Sequence, residues 1–377
     1  MVLNLELSLK KKRIITASIG PNIGVVELVD QFYNAYNAAR TREACQVLAR
    51  AVAEPGTLIG MSLSGALTPA GLGMSCLIPL IEAGLVDYLV STGANLYHDL
   101  HHALDFPMYA STPFLDDRQL KDDKIIRIYD IVFDADVLFD TDAWVYKVLA
   151  EDPVFRTPLS TSEFHWHFGR YANHLEAKLG GEKRSVLAAA YRCGVPIYAP
   201  AFGDSTFGLN MAAFHMATGI ESPIDVLRDV NESTALVYWA KVTEQARSAV
   251  WILGGGVPKN FLLQTEPQLQ EILGISEKGH DYFVQVTDAR PDTGGLSGAT
   301  PAEAVSWNKI DPDELDSTVV VYSDSTLFLP IATSYLLAKQ GSRPLKRLYD
   351  RRDDLMAALR DEYRRAKGLF LSPGSHS

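Results

Sequence analysis

The chain has 377 residues, of which 47% are hydrophobic, 21% charged and 10% aromatic, so it has enough apolar side chains for a sizeable core and too few charges for a disordered protein. Its 35 lysine and arginine residues against 46 aspartate and glutamate residues give a formal charge of −11, which argues against a general binder of nucleic acid or anionic membranes. We expect a folded globular protein, because this length suits one large α/β domain or two smaller ones.

The three cysteines, Cys45, Cys76 and Cys193, are widely separated, and the sequence contains no CxxC pair and no cluster of cysteine with histidine. This spacing argues against a disulfide framework and against a thiolate zinc site, so we predict no metal centre. Separate cysteines also favour a reducing compartment, and we predict a cytoplasmic protein.

Two apolar stretches lack the pattern of targeting or membrane segments. Residues 3–9 precede the basic residues 10–13, which is the reverse of the order in a secretory signal. The most apolar long run, residues 71–90, contains Glu82 and Asp87 and predicts a helix, a turn and a strand. We therefore expect neither a secretory signal nor a membrane partner.

The first 24 residues are predicted to form an amino-terminal arm, and residues 25–377 a single domain. Apolar residues recur with helical spacing over residues 25–52, and the charged residues 343–367 predict a solvated carboxy-terminal helix. Between these segments, six short runs of β-forming residues alternate with stretches of helical period. The runs are residues 57–61, 87–90, 196–200, 249–253, 282–287 and 318–322. This alternation predicts an α/β fold with a mainly parallel sheet and helices on both faces.

Five of these strands end in polar or glycine-rich loops. The loops contain Ser91, Thr92, Gly93 and Asn95; Gly203, Asp204, Ser205 and Thr206; Gly254, Gly255 and Gly256; Thr287 and Asp288; and Ser323, Asp324, Ser325 and Thr326. Each loop alone is more often an ordinary turn or helix cap. Because ligands of open α/β sheets bind beyond the carboxyl ends of the strands, the five together predict a nucleotide-sized site.

The glycine run 254–256 directly follows an apolar strand and precedes a helix predicted to begin near Lys259. Glycines there let the backbone approach a phosphate while the helix N-terminus presents N–H donors to it. Lys259 stands where a third glycine of the dinucleotide fingerprint would be, and the P-loop spacing is absent. A pyrophosphate seat and a tight strand-to-helix turn are equally compatible with this pattern.

Lys309 lies two residues after Trp307 and is the most suggestive residue chemically. A lysine in an apolar pocket loses its proton more readily, and the neutral amine can attack a carbonyl or an imine. The more common arrangement is a surface lysine at a helix end with the tryptophan in the core. Glu303 either orients a cationic substrate or faces solvent.

Four sequence blocks together resemble the deoxyhypusine synthase family, in that family's order and spacing, over about residues 22–338. The blocks are PAFGD at 200–204, GGGVPK at 254–259, EAVSWNKI at 303–310 and VYSD at 321–324. The resemblance implies a Rossmann-like, NAD-dependent transferase that is usually a homotetramer with active sites between paired subunits. In the family reaction, NAD takes a hydride from spermidine, and the imine passes its aminobutyl group to a lysine and then to an acceptor amine. The stored hydride reduces the final imine.

The resemblance also implies roles for individual residues. Lys309 occupies the position of the nucleophile, Trp307 that of the residue packing against substrate, and Glu303 that of an active-site acid. The positions matching the family's NAD contacts are Leu67, Thr68, Thr92, Asp204, Gly254, Asp288, Ser323 and Asp324. Asp288 replaces the usual threonine.

The departures from the family pattern lie around the polyamine. His98, Leu209 and Leu296 stand where the standard enzymes place acids against the amines of spermidine, and Asn260 replaces the usual histidine. Each lost carboxylate removes a charge-assisted bond worth roughly 1.5–3 kcal/mol. We therefore predict an altered donor site, with Trp307, Glu303, His98, Asp99 and Asn260 as its substrate-binding residues.

Three functions follow from this pattern. The leading hypothesis is an NAD-dependent aminoalkyl transferase acting on a polyamine or related amine through a lysine imine. Its acceptor is either a small amine, as in a homospermidine synthase-like enzyme, or a protein lysine. The second is deoxyhypusine synthase itself, which modifies a lysine of a translation factor. The third is a noncatalytic NAD-binding or assembly protein, against which the presence of Lys309 argues.

Overall fold

The six predicted strands pair into one sheet in the computed structural model of the protein, which describes residue 14 and residues 16–368. The strands of the described chain are β1 Leu58–Leu63, β2 Tyr88–Ser91, β3 Tyr109–Ala110, β4 Ile125–Ile128, β5 Ile131–Asp134, β6 Ile197–Tyr198, β7 Ser248–Leu253, β8 Tyr282–Thr287 and β9 Thr318–Tyr322. The large sheet has the order β6-β2-β1-β7-β8-β9, and every neighbouring pair is parallel. Strand order reverses between β1 and β7, so a crevice forms there at the carboxyl ends.

The α-helices connect and cover these strands. They span Val25–Glu27, Tyr36–Ala53, Ile78–Glu82, Gly93–Ala103, Asp117–Asp122, Asp136–Glu151, Thr161–Lys178, Val186–Cys193, Thr206–Thr218, Val226–Tyr238, Gly256–Leu263, Thr265–Pro267, Pro301–Ser306, Ser325–Gln340 and Arg352–Ala366. Short 3-10 and π-helical turns extend or join several of them.

Both faces of the large sheet are buried, because successive strand residues point to opposite faces. In β7, Trp251 packs in one core cluster, whereas Val250 and Ile252 pack in the other. The first cluster includes Phe328 of the helix Ser325–Gln340, and the second includes Leu262 of the helix Gly256–Leu263. The predicted α/β fold, with a parallel sheet between layers of helices, is thereby confirmed.

The structure extends the sequence prediction in several places. Strand β1 continues two residues beyond the predicted end at Met61. An antiparallel sheet in the order β3-β5-β4 was not predicted. The carboxy-terminal helix begins at Arg352 rather than at Arg343. Residues 16–24 of the predicted arm form no helix or strand, and the rest of the arm and residues 369–377 lie outside the described residues, so the predicted division into arm and domain stays a prediction. Within the described chain, no helix is both long and apolar enough to span a membrane.

Candidate active site

A cavity of about 400 Å³ lies at the carboxyl edge of the large sheet. Loops after β1, β2, β6, β7 and β8 form its walls. The lining residues are Ser64, Gly65, Ser91, Thr92, Gly93, Pro200, Ala201, Asp204, Gly254, Gly255, Gly256, Val257, Pro258, Thr287, Asp288, Ala289 and Ser297. We call this the strand-edge cavity; it occupies the place predicted for a nucleotide.

The glycine run is packed tightly against two serines. The Gly255 N–H donates to Ser64 Oγ at 3.0 Å, and the Gly256 N–H donates to Ser297 Oγ at 3.0 Å. A Cβ on Gly255 would lie 2.4 Å from the Ser297 Cα. Gly254 has a φ of +79°, a conformation that favours glycine. The loop therefore requires glycine for backbone shape and for close approach to the segment that contains Ser297.

Four of the eight residues predicted to contact NAD line the strand-edge cavity, namely Thr92, Asp204, Gly254 and Asp288. Two others, Leu67 and Thr68, are buried and do not line this cavity. The Leu67 N–H donates to Asn95 Oδ1 at 2.6 Å, and the Thr68 hydroxyl donates to the Asn95 carbonyl at 2.7 Å.

The remaining two, Ser323 and Asp324, follow the edge strand β9 and do not line this cavity. The Asp324 carboxylate caps the helix Ser325–Gln340 by accepting from the Thr326 N–H at 2.7 Å. The geometry of a single chain therefore does not support the prediction that Ser323 and Asp324 contact NAD.

Ser64, Gly65 and Ser297 line the cavity but were not predicted as site residues. Ser64 and Gly65 were missed because β1 was predicted to end at Met61. The strand ends at Leu63, so the polar loop that follows it was not recognised as a strand-end loop. The Ser-Gly pair after an apolar strand was the available signal. Ser297 lies in a loop that is distant in sequence from the glycine run, and only the tertiary structure brings the two together.

A second cavity, of about 360 Å³, surrounds Lys309, and we call it the lysine cavity. Its walls combine apolar side chains with two lysines and two glutamates. The lining residues are Lys259, Asn260, Leu263, Gln264, Pro267, Glu271, Phe283, Leu296, Ala299, Glu303, Ala304, Trp307 and Lys309. The predicted catalytic residue Lys309 thus meets three of the predicted substrate-binding residues, Trp307, Glu303 and Asn260, in one cavity.

The side chain of Lys309 is half-buried and points at a hydrogen-bond acceptor. Its Nζ donates to Asn260 Oδ1 at 2.9 Å and lies 6.0 Å from the centre of the Trp307 ring. Burial lowers the pKa of Lys309, while Glu303 and Glu271 act in the opposite direction. The neutral amine is thereby more populated than on an ordinary surface lysine. Trp307 is 60% exposed at the cavity mouth and is not a core residue.

Lys259 forms a second amine in the same cavity. Its side chain is 3% exposed, and its Nζ donates to Gln285 Oε1 at 2.9 Å and to the Ala299 carbonyl at 2.7 Å. Burial, followed by the charge of Lys309, lowers the pKa of Lys259 to about 8. From the sequence, Lys259 was only the residue in place of a third glycine, because its burial follows from packing across β8.

His98 and Asp99, which were also predicted to bind substrate, line neither of these two cavities. His98 packs against His101 and Phe133, and burial lowers its pKa to about 4. Asp99 is buried, and its carboxylate accepts from Ser185 Oγ at 2.6 Å and from two backbone N–H groups at the start of the helix Val186–Cys193. In this chain Asp99 is a helix cap.

The two cavities share a wall. Val257 and Pro258 line the strand-edge cavity, and the next two residues of the same helix line the lysine cavity. The loop around Ser297 also contributes to both cavities, since Ser297 lines the strand-edge cavity and its neighbour Leu296 lines the lysine cavity. A ligand at the strand edge and one beside Lys309 would therefore be neighbours. In the part of the chain that the structure describes, no group of three or more metal-binding side chains is placed to hold an ion.

Comparison with known proteins identifies the family. The deoxyhypusine synthase family model matches residues 27–336. A deoxyhypusine synthase-like protein from a Cyanothece species is 54% identical over 359 residues, covering 94% of this chain and 89% of that protein. The protein named "Probable deoxyhypusine synthase 2" from Methanosarcina acetivorans is 36% identical over 328 residues, covering 87% of this chain and 90% of that protein.

The fold agrees with these sequence matches. A crystal structure of a candidate deoxyhypusine synthase from Entamoeba histolytica superposes with a TM-score of 0.55 at 15% identity, over 88% of this chain and 100% of that one. The chain therefore belongs to the deoxyhypusine synthase family, whose enzymes transfer an aminobutyl group.

Proposed function

We propose that this protein is an NAD-dependent aminoalkyl transferase that acts on a polyamine or related amine through an imine on Lys309. The observation that carries the proposal is the half-buried Lys309, whose pKa is lowered by burial, in a cavity that adjoins the strand-edge cavity. A neutral lysine amine can add to the imine carbon of an oxidised donor and displace its amine. An acceptor amine then displaces Lys309 by the same exchange.

NAD is the cofactor that the strand-edge cavity suits. The cavity lies where strand order reverses, the Gly255 position leaves no room for a Cβ, and Asp204 and Asp288 provide carboxylates for hydroxyl groups. When bound, NAD supplies acceptance and return of the hydride. The chain's own residues then perform the amine exchange: Asn260 orients the Lys309 amine, and Glu303 provides charge for a cationic amine.

The direct test incubates the purified protein with NAD and a panel of amines and identifies products by mass spectrometry. The proposal expects a new secondary amine whose formation requires NAD, together with a borohydride-trapped adduct on Lys309. Omission of NAD is the control for adventitious adducts. NAD-independent product, or none from any amine of the panel, contradicts the proposal.

A protein lysine is the second class of acceptor in this proposal. It is favoured by the 36% identity to a relative named as a probable deoxyhypusine synthase. Adding a translation-factor precursor protein to the same reaction separates the two classes, since deoxyhypusine synthase activity would add mass to the precursor and a homospermidine synthase-like enzyme would add it to a small amine.

The proposal includes a homotetramer in the cytoplasm, with active sites between paired subunits. Large apolar side chains on the helix Thr206–Thr218 are consistent with subunit contact, since Leu209 is 65% and Met216 is 89% exposed. The three cysteines are buried free thiols, as suits a reducing compartment.

Replacing Gly255 with alanine is expected to weaken NAD binding at least about tenfold, because the added Cβ would displace the loop that contains Ser297. Calorimetric titration with NAD measures the effect. Gly24→Ala is the matched control, since nothing lies within 4 Å of a Cβ at that position. Equal NAD affinity in the Gly255 variant and the wild type would remove the glycine run from the cofactor site.

Spermidine is expected to be a poor donor for the wild type, and the double change Leu209→Asp with Leu296→Asp is expected to raise kcat/KM for it about tenfold. The reason is that leucines cannot pair with ammonium groups, and restored carboxylates can. Leu296 lines the lysine cavity, whereas Leu209 is exposed on another helix and would reach a site only between subunits. Efficient aminobutyl transfer from spermidine by the wild type contradicts this prediction.

A further inference from the structure

The lysine cavity contains a carboxylate that the family resemblance does not assign. Glu271 lies on the π-helical turn Gln268–Leu273 and lines the cavity together with Glu303. Among the residues that the structure describes, these two glutamates are the only acidic side chains in the wall of this cavity. Glu271 is therefore a candidate to bind a cationic substrate in a chain that has no acids at positions 209 and 296.

Two hydrogen bonds hold the Glu271 turn against the loop that carries Lys309. Gln270 Nε2 donates to the Asn308 carbonyl at 3.0 Å, and Asn308 Nδ2 donates to Glu271 Oε1 at 3.2 Å. Asn308 has a φ of +55°, a backbone conformation that asparagine tolerates better than most residues. The hydrogen bond from Asn308 thus fixes the Glu271 carboxylate beside the residue that immediately precedes Lys309.

The other carboxylate oxygen, Oε2, receives no hydrogen bond from the residues that the structure describes. Glu271 lies near enough to Lys309 to act on its pKa, as Glu303 also does. The wall also contains large apolar side chains, among them Leu263, Phe283 and Trp307. The cavity thus offers an apolar surface for a carbon chain and more than one carboxylate for ammonium groups.

We propose that Glu271 binds an ammonium group of the substrate through Oε2, and that it thereby selects linear amines with a second ammonium group over monoamines. This inference rests on the proposed function, because one end of the substrate must react at Lys309 while the other end carries the ammonium group that binds Glu271. A monoamine of equal length fills the apolar wall but has no second ammonium for Glu271. Selectivity for diamines over monoamines is the consequence.

The test titrates the NAD-saturated protein with 1,4-diaminobutane and with butylamine by calorimetry, for the wild type and for Glu271→Gln. The variant is expected to bind the diamine about tenfold more weakly and to bind butylamine unchanged, because an amide keeps the shape and loses the charge. Glu221→Gln, at an exposed glutamate that lines neither cavity, is the control and is expected to bind both amines as the wild type does.

The diamine affinity and the transfer activity together distinguish failure of this inference from failure of the proposed transferase. A selective loss of diamine affinity in the Glu271 variant supports the role of Glu271. If no transfer product forms in addition, that result contradicts the proposed transferase but not the role of Glu271. Transfer activity with equal diamine affinity in the wild type and the Glu271 variant overturns this inference and leaves the transferase standing. A parallel loss of both amines, or no binding of either amine by the wild type, also overturns it.

Discussion

Lys309→Arg is expected to abolish amine transfer, with a fall in kcat of at least about 10³-fold. Transfer requires a neutral amine at this position, and burial lowers the pKa of Lys309 toward that state. An arginine side chain stays protonated at any working pH and cannot form the imine. Steady-state turnover with NAD and an accepted amine measures the loss, and borohydride trapping is expected to give no adduct at position 309.

The variant is expected to keep its NAD affinity, because Lys309 does not line the strand-edge cavity. Lys147→Arg, at an exposed lysine on the helix Asp136–Glu151, is the matched control and is expected to turn over normally. The strongest rival nucleophile is Lys259, whose pKa is lowered to about 8 in the same cavity. A trapped adduct on Lys259, or full turnover by the Lys309 variant, would contradict the assignment of Lys309.

The large sheet could be predicted from sequence because its strands are buried on both faces. Strands such as β7 and β8 are buried along their whole length, so they read as continuous apolar runs bounded by polar loops. The small antiparallel sheet could not be predicted in the same way. Its strand β4 is only partly buried at every residue, and β3 is two residues long and exposed. Such strands depend on tertiary neighbours more than on their own pattern.

The site was predictable where function depends on residues close in sequence. Trp307 and Lys309 were predicted together and lie in one cavity. The contact between Lys309 and Asn260 spans 49 positions, and the fold alone brings these residues together. Asn260 was predicted only through the family resemblance. Glu271 was missed, because its place in the cavity depends on the packing of a π-helical turn against Asn308.

His98 and Asp99 show the opposite limit of sequence reasoning. Both lie within the helix Gly93–Ala103 that follows β2. The family pattern suggested substrate contact for the position of His98, and Asp99 was predicted as an acid that supplies the missing charge. The carboxylate of Asp99 is instead used by backbone N–H groups of another helix. A sequence pattern places a residue on an element, but the partners of its side chain depend on which elements pack beside it.

Glu266→Gln is expected to stabilise the protein above pH 8, on the order of 3 kcal/mol, and to change stability little below pH 5. Glu266 lies on the helix Thr265–Pro267 and is fully buried, and burial raises its pKa to about 8. Lys241, whose charge acts to lower this pKa, already donates to Asp281 at 2.9 Å and to the Gly279 carbonyl at 2.6 Å. The folded protein therefore holds a proton on Glu266 that the unfolded chain releases near pH 4.5.

Because the folded state binds the extra proton, the stability that Glu266 contributes is complete below the unfolded pKa and is lost as pH rises through about 8. Glutamine is neutral at every pH, so it removes this loss. Thermal-unfolding midpoints at pH 4.5 and pH 9, at matched protein concentration, measure the difference between the variant and the wild type. The exposed Glu221→Gln is expected to follow the wild type at both values. A Glu266 variant less stable than the wild type at pH 9 would show that the folded protein stabilises this carboxylate in its charged form.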